Sequence, residues 1–334
     1  MRIALALGSG GARGYAHVGV LHELHARGHD IVAIAGTSMG AVVGGLEAAG
    51  RLDLFTDWVT TLSQRDVWRL LDPAFTGPGV FWGQRVMERV ADMLGGARIE
   101  ELPIPFTAIA TDINNGREVW FQRGSLATAM RASIGIPSVF TPVVVAGRML
   151  ADGGLLNPVP VDALLGAPAD TTVAVSLSGR RAADRGNTPV TEAAETEGML
   201  GELTDRLVRN VVDSDAVRGL RQWWAARFAS ADAGPDLGSG LGSGLGADAD
   251  AALPVARDFD FEDLPRGLRT SDVVSRSLET AEAIISRFRM AASPPDVLIE
   301  FPLDMASTFD FHRASELIER GRQAASESLD AAGL

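Results

Sequence analysis

The most constraining feature of this chain is a serine that lies between two glycines directly after a short apolar run. Ile31–Ala35 is apolar and rich in β-branched residues, which predicts a buried central strand of a parallel sheet. Gly36-Thr37-Ser38-Met39-Gly40 follows it, and a helix is predicted over Ala41–Ala49. The two glycines remove Cβ atoms that would collide in a sharp strand-to-helix turn. We therefore expect the Ser38 hydroxyl to stand clear of the sheet, beside the positive end of the helix.

A second strand-loop-helix unit comes earlier in the chain. Arg2–Leu7 is predicted as a strand and Tyr15–Arg27 as a helix, and the glycine-rich loop Gly8–Gly14 lies between them. Glycine loops at helix N-termini leave backbone N–H groups free and bind anions. The anion is either a phosphate or the oxyanion of a tetrahedral intermediate.

Nucleotide binding at this loop finds little support in the sequence. A dinucleotide site expects an acidic residue at the end of the second strand, where this chain has Gly36-Thr37-Ser38. A P-loop expects a Gly-Lys-Ser or Gly-Lys-Thr triplet, which the sequence lacks. The oxyanion interpretation is therefore the favoured one.

Asp152 and His312 are the later residues that a serine hydrolase could use. Thr141–Val145 and Arg148–Ala151 are predicted as paired strands, so Asp152 falls at a strand end, where sites on open sheets gather. Most Asp-Gly pairs only cap a turn, so the position at a strand end is the one observation that favours a catalytic role for Asp152. His312 is the one histidine late enough for a Ser…Asp…His order. An α/β-hydrolase-type esterase that uses His312 stays open as an alternative.

Three motifs follow one another along this chain. They are Gly10-Gly11-Ala12-Arg13-Gly14-Tyr15-Ala16-His17-Val18-Gly19-Val20-Leu21, Gly36-Thr37-Ser38-Met39-Gly40-Ala41 and Asp152-Gly153-Gly154-Leu155-Leu156-Asn157-Pro158-Val159-Pro160. In this order they resemble the bacterial patatin-like phospholipase family. The resemblance covers most of residues 1–178 and returns weakly near 296–325. The family usually has glycine where this chain has Ser9, whereas the other loop glycines are in place.

The resemblance implies a serine–aspartate dyad in an α/β protein. The implied fold is a patatin-like three-layer α/β/α arrangement with a mainly parallel central sheet and a helical, partly flexible insert. The implied reaction is hydrolysis of carboxylic esters of lipids, as a phospholipase A, lipid acyl hydrolase or esterase, through an acyl-enzyme and without cofactor or metal. Ser38 would be the nucleophile and Asp152 the base. The implied oxyanion hole consists of backbone N–H groups around Gly10, Gly11 and Ala12, with Arg13 helping to fix the loop.

The composition limits which partners the protein could bind and which cellular compartment it could occupy. The net charge of −13 over 334 residues opposes binding to nucleic acid and purely electrostatic attachment to anionic lipid. The chain has no cysteine, which excludes disulfides and is compatible with a cytosolic enzyme. Ile3–Leu7 ends at once in the glycine loop, so no signal peptide is visible, and no segment is long enough to span a bilayer. We expect a cytoplasmic protein.

The sequence predicts a core, an insert and a closing segment. The catalytic-like core comprises 1–178, the helical insert with its Gly/Ser-rich linker comprises 179–252, and 253–334 completes the domain. Apolar residues recur at helical spacing over 199–228. The favoured interpretation is that these helices cover the core. Because the insert also contains Trp223 and Trp224, three other roles stay open for it: a lid, a peripheral membrane contact or a homodimer surface.

A lipid or ester substrate is the expected partner, but a protein of another functional class stays open. A regulatory or interaction protein could keep the same fold and bind a partner through the insert. The intact Ser38, Asp152 and glycine loop favour the enzyme, because a purely binding protein has no need of all three.

Overall fold

A computed structural model of the chain describes residues 1–72, 81–137, 139–179 and 270–334. The described residues up to 179 and from 274 onward belong to one compact unit. Apart from Gly179, the predicted insert lies outside the described residues, together with Trp223, Trp224 and the Gly/Ser-rich linker. The predictions for that segment, including its role as lid, membrane contact or dimer surface, stay predictions.

Eight strands of the described residues form a single sheet. Its order is β5-β6-β3-β2-β1-β7-β8, and β4 pairs with β3 off this path. The pairs from β3 across β2, β1 and β7 to β8 are parallel, whereas those that β3, β4, β5 and β6 form among themselves are antiparallel. The strands are β1 (Arg2–Leu7), β2 (Asp30–Thr37), β3 (Phe106–Asp112), β4 (Arg117–Phe121), β5 (Val143–Val145), β6 (Arg148–Asp152), β7 (Thr171–Gly179) and β8 (Val297–Pro302).

Eight α-helices, together with short 3₁₀ turns, are described around this sheet. They are α1 (Tyr15–Ala26), α2 (Met39–Ala48), α3 (Leu52–Thr60), α4 (Gln64–Leu71), α5 (Gln84–Leu94), α6 (Leu126–Ser133), α7 (Thr270–Ala292) and α8 (Ala314–Ala332). Among the described residues, no helix has the length and apolar character needed to cross a membrane.

The alternation of large and small residues along β1 explains the layers. Because successive side chains of a strand point to opposite faces, Ile3, Leu5 and Leu7 lie on one face and Ala4 and Ala6 on the other. The large side chains pack in the main apolar cluster, which includes residues of α1, α2 and α8. The alanines face a smaller cluster formed by the segment after β6, against which a side chain of α7 packs. The predicted three-layer α/β/α fold with a mainly parallel sheet is confirmed.

Most predicted elements lie where the sequence indicated them. β1 has the predicted bounds, and the paired strands before Asp152 are present as β5 and β6. α7 is the main element that the sequence analysis missed, since it assigned that stretch only to a closing segment. This helix matters for the site, because it brings charged side chains toward the glycine loop.

Candidate active site

Ser38 occupies a sharp turn between β2 and α2. Its backbone has φ 56° and ψ −123°, a conformation that residues other than glycine rarely adopt. A Cβ at Gly36 would overlap the backbone of Gly40, and a Cβ at Gly40 would overlap the carbonyl oxygen of Leu7. The predicted strand-to-helix turn is therefore present, and glycine is required on both sides of it. Such turns hold a side chain in a strained but fixed position above the sheet.

The pairing of β3 brings Ser38 and Asp152 together. β2 pairs with β3 up to Thr37, which lies opposite Ile109. β6 pairs with β3 from Ala110 onward, and Asp152 is the residue opposite Ala110. β4 occupies the other edge of β3, so β2 and β6 share one edge. The residue that follows β2 and the last residue of β6 therefore meet, although they are far apart in the sequence.

Ser38 and Asp152 form a buried hydrogen-bonded pair. The Ser38 hydroxyl donates to Asp152 Oδ2 at 2.5 Å, and the Gly154 N–H donates to Asp152 Oδ1 at 2.7 Å. Ser38 and Asp152 are each only 3% exposed. Burial raises the pKa of Asp152 to about 6, although the hydrogen bonds from Ser38 and Gly154 act in the opposite direction. Above that pH the carboxylate can accept a proton from the hydroxyl that it already contacts.

Ser133 supports the turn from α6, and the sequence analysis did not single it out. Its hydroxyl accepts a hydrogen bond from the Ser38 backbone N–H at 2.8 Å and donates to the Ile109 carbonyl at 2.5 Å. Ser133 is fully buried. Its only signal in the sequence is a single hydroxyl at the end of a short, mostly apolar helix.

The glycine loop presents two backbone N–H groups. Among the described residues, none accepts a hydrogen bond from the N–H of Gly10 or of Gly11. The structure differs from the expectation at Ala12, whose N–H donates to the Thr308 carbonyl at 2.9 Å and is not free. The loop motif alone could not reveal this contact, because Thr308 lies some 300 residues away in the sequence. Gly10 and Gly11 therefore remain the candidate oxyanion donors.

Arg13 and His17 hold the glycine loop in place through polar contacts. The Arg13 guanidinium donates to the carbonyls of Gly10 at 3.2 Å and Leu303 at 2.7 Å, and it forms an ion pair with Glu279 of α7 at 3.2 Å. His17 Nε2 lies 2.8 Å from the Gly8 carbonyl, and because that oxygen can only accept, Nε2 carries the proton. Burial lowers the pKa of His17 to about 4, so the imidazole is neutral at neutral pH.

An apolar cavity of about 90 Å³ opens beside Ser38 and Gly11. Its walls come from α3, α4 and α5, from the start of α2 and from the segment after α6. Almost every wall residue is aliphatic or aromatic, and they include Val59, Leu62, Leu71, Met87, Val90 and Phe140. An unbranched hydrocarbon chain is the kind of group that such a wall accepts.

In the part of the chain that the structure describes, no histidine makes a hydrogen bond to Ser38 or Asp152. His312 lies in the 3₁₀ turn Phe311–Arg313 and has no hydrogen-bond partner among the described residues. The Asp152 oxygens are already bonded to Ser38 and Gly154. No group of three or more His, Cys, Asp or Glu side chains suited to a metal ion occurs in the described part of the chain. The arrangement is therefore a direct pair and not a relay through imidazole.

Comparison with known proteins identifies the family. A family model described as patatin-like phospholipase matches residues 5–165. An uncharacterized NTE family protein of Mycobacterium tuberculosis is 42% identical over 340 residues, covering 99% of this chain and 92% of that protein. Neuropathy target esterase of Drosophila melanogaster is 29% identical over 197 residues, covering 55% of this chain and 13% of that protein. VipD of Legionella pneumophila aligns with a TM-score of 0.47 and 13% identity, over 99% of this chain and 66% of that chain.

The match to the mycobacterial protein extends over nearly the whole length of both chains. The family model begins within β1 and ends after β6, so it spans the glycine loop, the Ser38 turn and Asp152. On this evidence the chain belongs to the patatin-like phospholipase family.

Proposed function

We propose that this protein is a serine hydrolase that cleaves carboxylic esters of lipids through Ser38 and Asp152. The observation that carries the proposal is the 2.5 Å hydrogen bond from the Ser38 hydroxyl to a buried carboxylate, beside an apolar cavity and two backbone N–H groups. Family membership supports lipid acyl hydrolysis in general.

The first half-reaction forms an acyl-enzyme. Ser38 Oγ attacks the ester carbonyl carbon while its proton moves to Asp152 Oδ2 along the existing hydrogen bond. The carbonyl oxygen becomes an oxyanion, which the N–H groups of Gly10 and Gly11 stabilise, together with the positive end of α2. When the tetrahedral intermediate collapses, the carbon–oxygen bond to the leaving alcohol breaks. The proton on Asp152 passes to that alcohol, so the carboxylate is restored.

The second half-reaction releases the fatty acid. Water attacks the acyl carbonyl, its proton moves to Asp152, and collapse returns that proton to Ser38 Oγ. An ordinary aspartate, with a pKa near ~3.9, is a weak base for such a step. A pKa of about 6 makes Asp152 a stronger base while leaving it mostly ionised at neutral pH. Burial of the carboxylate thus serves the chemistry directly.

The apolar cavity supports an acyl chain as the group beside the reacting ester. Each buried methylene contributes about 0.8 kcal/mol of transfer free energy, so chain length should affect the rate strongly. Since Ser38 and Gly11 both line the cavity, a chain inside it could bring its ester carbonyl next to the hydroxyl and the glycine loop.

The test is hydrolysis of p-nitrophenyl esters of increasing chain length by the parent protein and three variants. We expect Ser38→Ala and Asp152→Asn to lose nearly all activity, by at least about 10³-fold, since both remove a group that takes part in bond making. His312→Ala should retain the parent rate. Hydrolysis by Ser38→Ala at the parent rate would overturn the proposal, and loss of activity in His312→Ala would favour a triad instead.

A further inference from the structure

A second concave surface, separate from the apolar cavity, lies between α5 and α6. It is a groove of about 430 Å³. Each helix contributes residues three or four positions apart, which lie on one helical face. The described residues that line it are Trp82, Gln84, Met87, Glu88, Ala91, Ala127, Thr128, Arg131, Thr141, Pro142 and Val143. Of these, Met87 is the one that also lines the cavity beside Ser38, so the groove is a candidate site in its own right.

Arg131 brings a positive charge to this groove without a counter-charge. Its Nη2 donates to the carbonyls of Trp82 at 3.0 Å and Thr141 at 2.8 Å, whereas its Nη1 is buried and has no hydrogen-bond partner. Among the described residues no carboxylate pairs with it, and burial is the one influence on its pKa, which it lowers. A guanidinium nevertheless stays protonated near neutral pH. A partly buried charge of this kind is costly unless an anion compensates it.

The other polar groups of the groove leave room for such an anion. The Thr141 hydroxyl is buried and lacks a hydrogen-bond partner, as Arg131 Nη1 does. Glu88, the one acidic residue among the described lining residues, is exposed, accepts a hydrogen bond from Gln84 at 2.8 Å and does not affect the pKa of Arg131. In surroundings of low polarity a charge acts over several ångströms, so an anion in the groove is attracted even while Nη1 itself stays covered. Carboxylate and phosphate oxygens are the acceptors that a guanidinium binds best.

Most of the remaining groove surface is apolar. Met87, Ala91 and Ala127 line it from the two helices, and Pro142 and Val143 line it from the segment before β5. Trp82, which is 42% exposed, adds an aromatic ring. A small inorganic anion would leave this surface unused, whereas an apolar chain attached to the anion would cover it.

We propose that the groove between α5 and α6 binds an amphiphilic anion, with its oxyanion group at Arg131 and its apolar chain along the walls. A fatty-acid carboxylate and a lipid phosphate share this chemistry. The site goes beyond the proposed function, because it lies outside the Ser38 cavity and takes no part in ester cleavage. Binding at the groove is therefore expected in Ser38→Ala as in the parent.

The first test is calorimetric titration of the full chain with octanoate, octyl phosphate, inorganic phosphate and octanol. We expect at least one of the two amphiphilic anions to bind, and the tighter of the two identifies the preferred oxyanion. Arg131→Gln should weaken this binding at least about tenfold, because a hydrogen-bonded charge pair is lost. Leu62→Trp, which fills the apolar cavity instead, should leave the Arg131-dependent binding unchanged. No binding of either anion, or equally tight binding of octanol, would overturn the proposal.

The second test changes the charge of the groove without touching the contacts of Arg131 to the two carbonyls. Thr128 lines the groove from an exposed position on α6. Thr128→Glu should weaken anion binding at least about tenfold, since its carboxylate lies three positions from Arg131 on the helix and competes for the guanidinium. Thr128→Gln, of nearly the same shape, is the matched control and should keep the parent affinity. Arg89→Gln removes an equal charge from a position of α5 that does not line the groove, and should also keep it.

The outcomes separate the groove from other sites. Equal affinity of the parent, Arg131→Gln and Thr128→Glu would overturn the proposal, because the anion would then bind elsewhere. Inorganic phosphate that binds as tightly as octyl phosphate would overturn the assignment of an amphiphile. Since none of these measurements uses hydrolysis, failure of the proposed function and failure of the groove assignment are read separately.

Discussion

The Ser133 hydroxyl accepts the Ser38 backbone N–H at 2.8 Å, so the strained turn is held by a side chain from a different helix. Its own proton goes to the Ile109 carbonyl at 2.5 Å on β3. One hydroxyl therefore links the turn, α6 and the central sheet. Because Ser38 has a positive φ, its backbone depends on such fixed partners to remain in the observed conformation.

Ser133→Ala should reduce both stability and activity. It leaves the buried Ser38 N–H without an acceptor, which costs about 1–3 kcal/mol in the free energy of unfolding. Ser38, the proposed nucleophile, is also less well positioned, so kcat should fall while the protein remains folded. Denaturant unfolding and ester hydrolysis check this. Ser286→Ala is the control, since Ser286 is also buried but its hydroxyl has no hydrogen-bond partner among the described residues. Equal losses in the two variants would contradict the prediction.

Asp152→Asn should abolish activity but increase stability at alkaline pH. The pKa of Asp152 is raised in the folded state to about 6, so its folded form loses stability relative to the unfolded chain as pH rises from the unfolded value through 6. An uncharged amide avoids that cost, which amounts to at most about 3 kcal/mol. The free energy of unfolding of the variant should exceed that of the parent at pH 8, and the difference should narrow at pH 5. If the difference in the free energy of unfolding between variant and parent were the same at pH 5 and pH 8, burial would not destabilise the ionised carboxyl.

His17 should make the protein sensitive to acid. Its pKa is lowered to about 4 in the folded state, so the stability it contributes is complete above the unfolded value of about 6.5 and is lost as pH falls toward 4. His17→Gln keeps a donor for the Gly8 carbonyl and removes the titration. The free energy of unfolding of this variant should therefore change less between pH 6.5 and 4 than that of the parent. An unchanged slope in His17→Gln would contradict the prediction.

Filling the apolar cavity should shift the preference for acyl-chain length. Leu62 lines the cavity and is only partly buried, so Leu62→Trp adds volume there with limited strain on the core. We expect kcat/KM for a p-nitrophenyl octanoate or longer ester to fall at least about tenfold relative to the acetate, since two lost methylene contacts are worth that much. Leu54→Trp places the same ring at a 53% exposed position of α3 and should leave the ratio unchanged. An unchanged ratio in Leu62→Trp would place the acyl chain elsewhere.

The elements around the site could be predicted because their signals are local. Each signal is contained in a few neighbouring residues. The signals are the alternating residues of β1, the glycines beside Ser38 and the Ala146-Gly147 hairpin before Asp152. The resemblance to the family then paired Ser38 with Asp152. The physical reason for the pairing, however, is the shared edge of β3, which becomes visible only once the register of three strands is known.

The long-range contacts could not be predicted in this way. The Thr308 carbonyl accepts a hydrogen bond from the Ala12 N–H. Glu282, on a helix that was not predicted from the sequence, accepts one from the Ser9 hydroxyl. Glu282 lies 273 residues from Ser9, and Thr308 lies still farther from Ala12, so no local pattern connects them. Glu279 and Glu282 at helical spacing were the available signal for a polar inner face on α7, but nothing in the sequence indicates what that face meets.

Covalent labelling shows whether Ser38 is the reactive nucleophile. The full-length parent is incubated with a fluorophosphonate that carries an alkyl chain, and the adduct is located by intact-mass measurement and peptide mapping. We predict one adduct per chain on Ser38, loss of ester hydrolysis in proportion to labelling, and no adduct in Ser38→Ala. An adduct on another residue, or full hydrolysis by a protein completely labelled at Ser38, would contradict it.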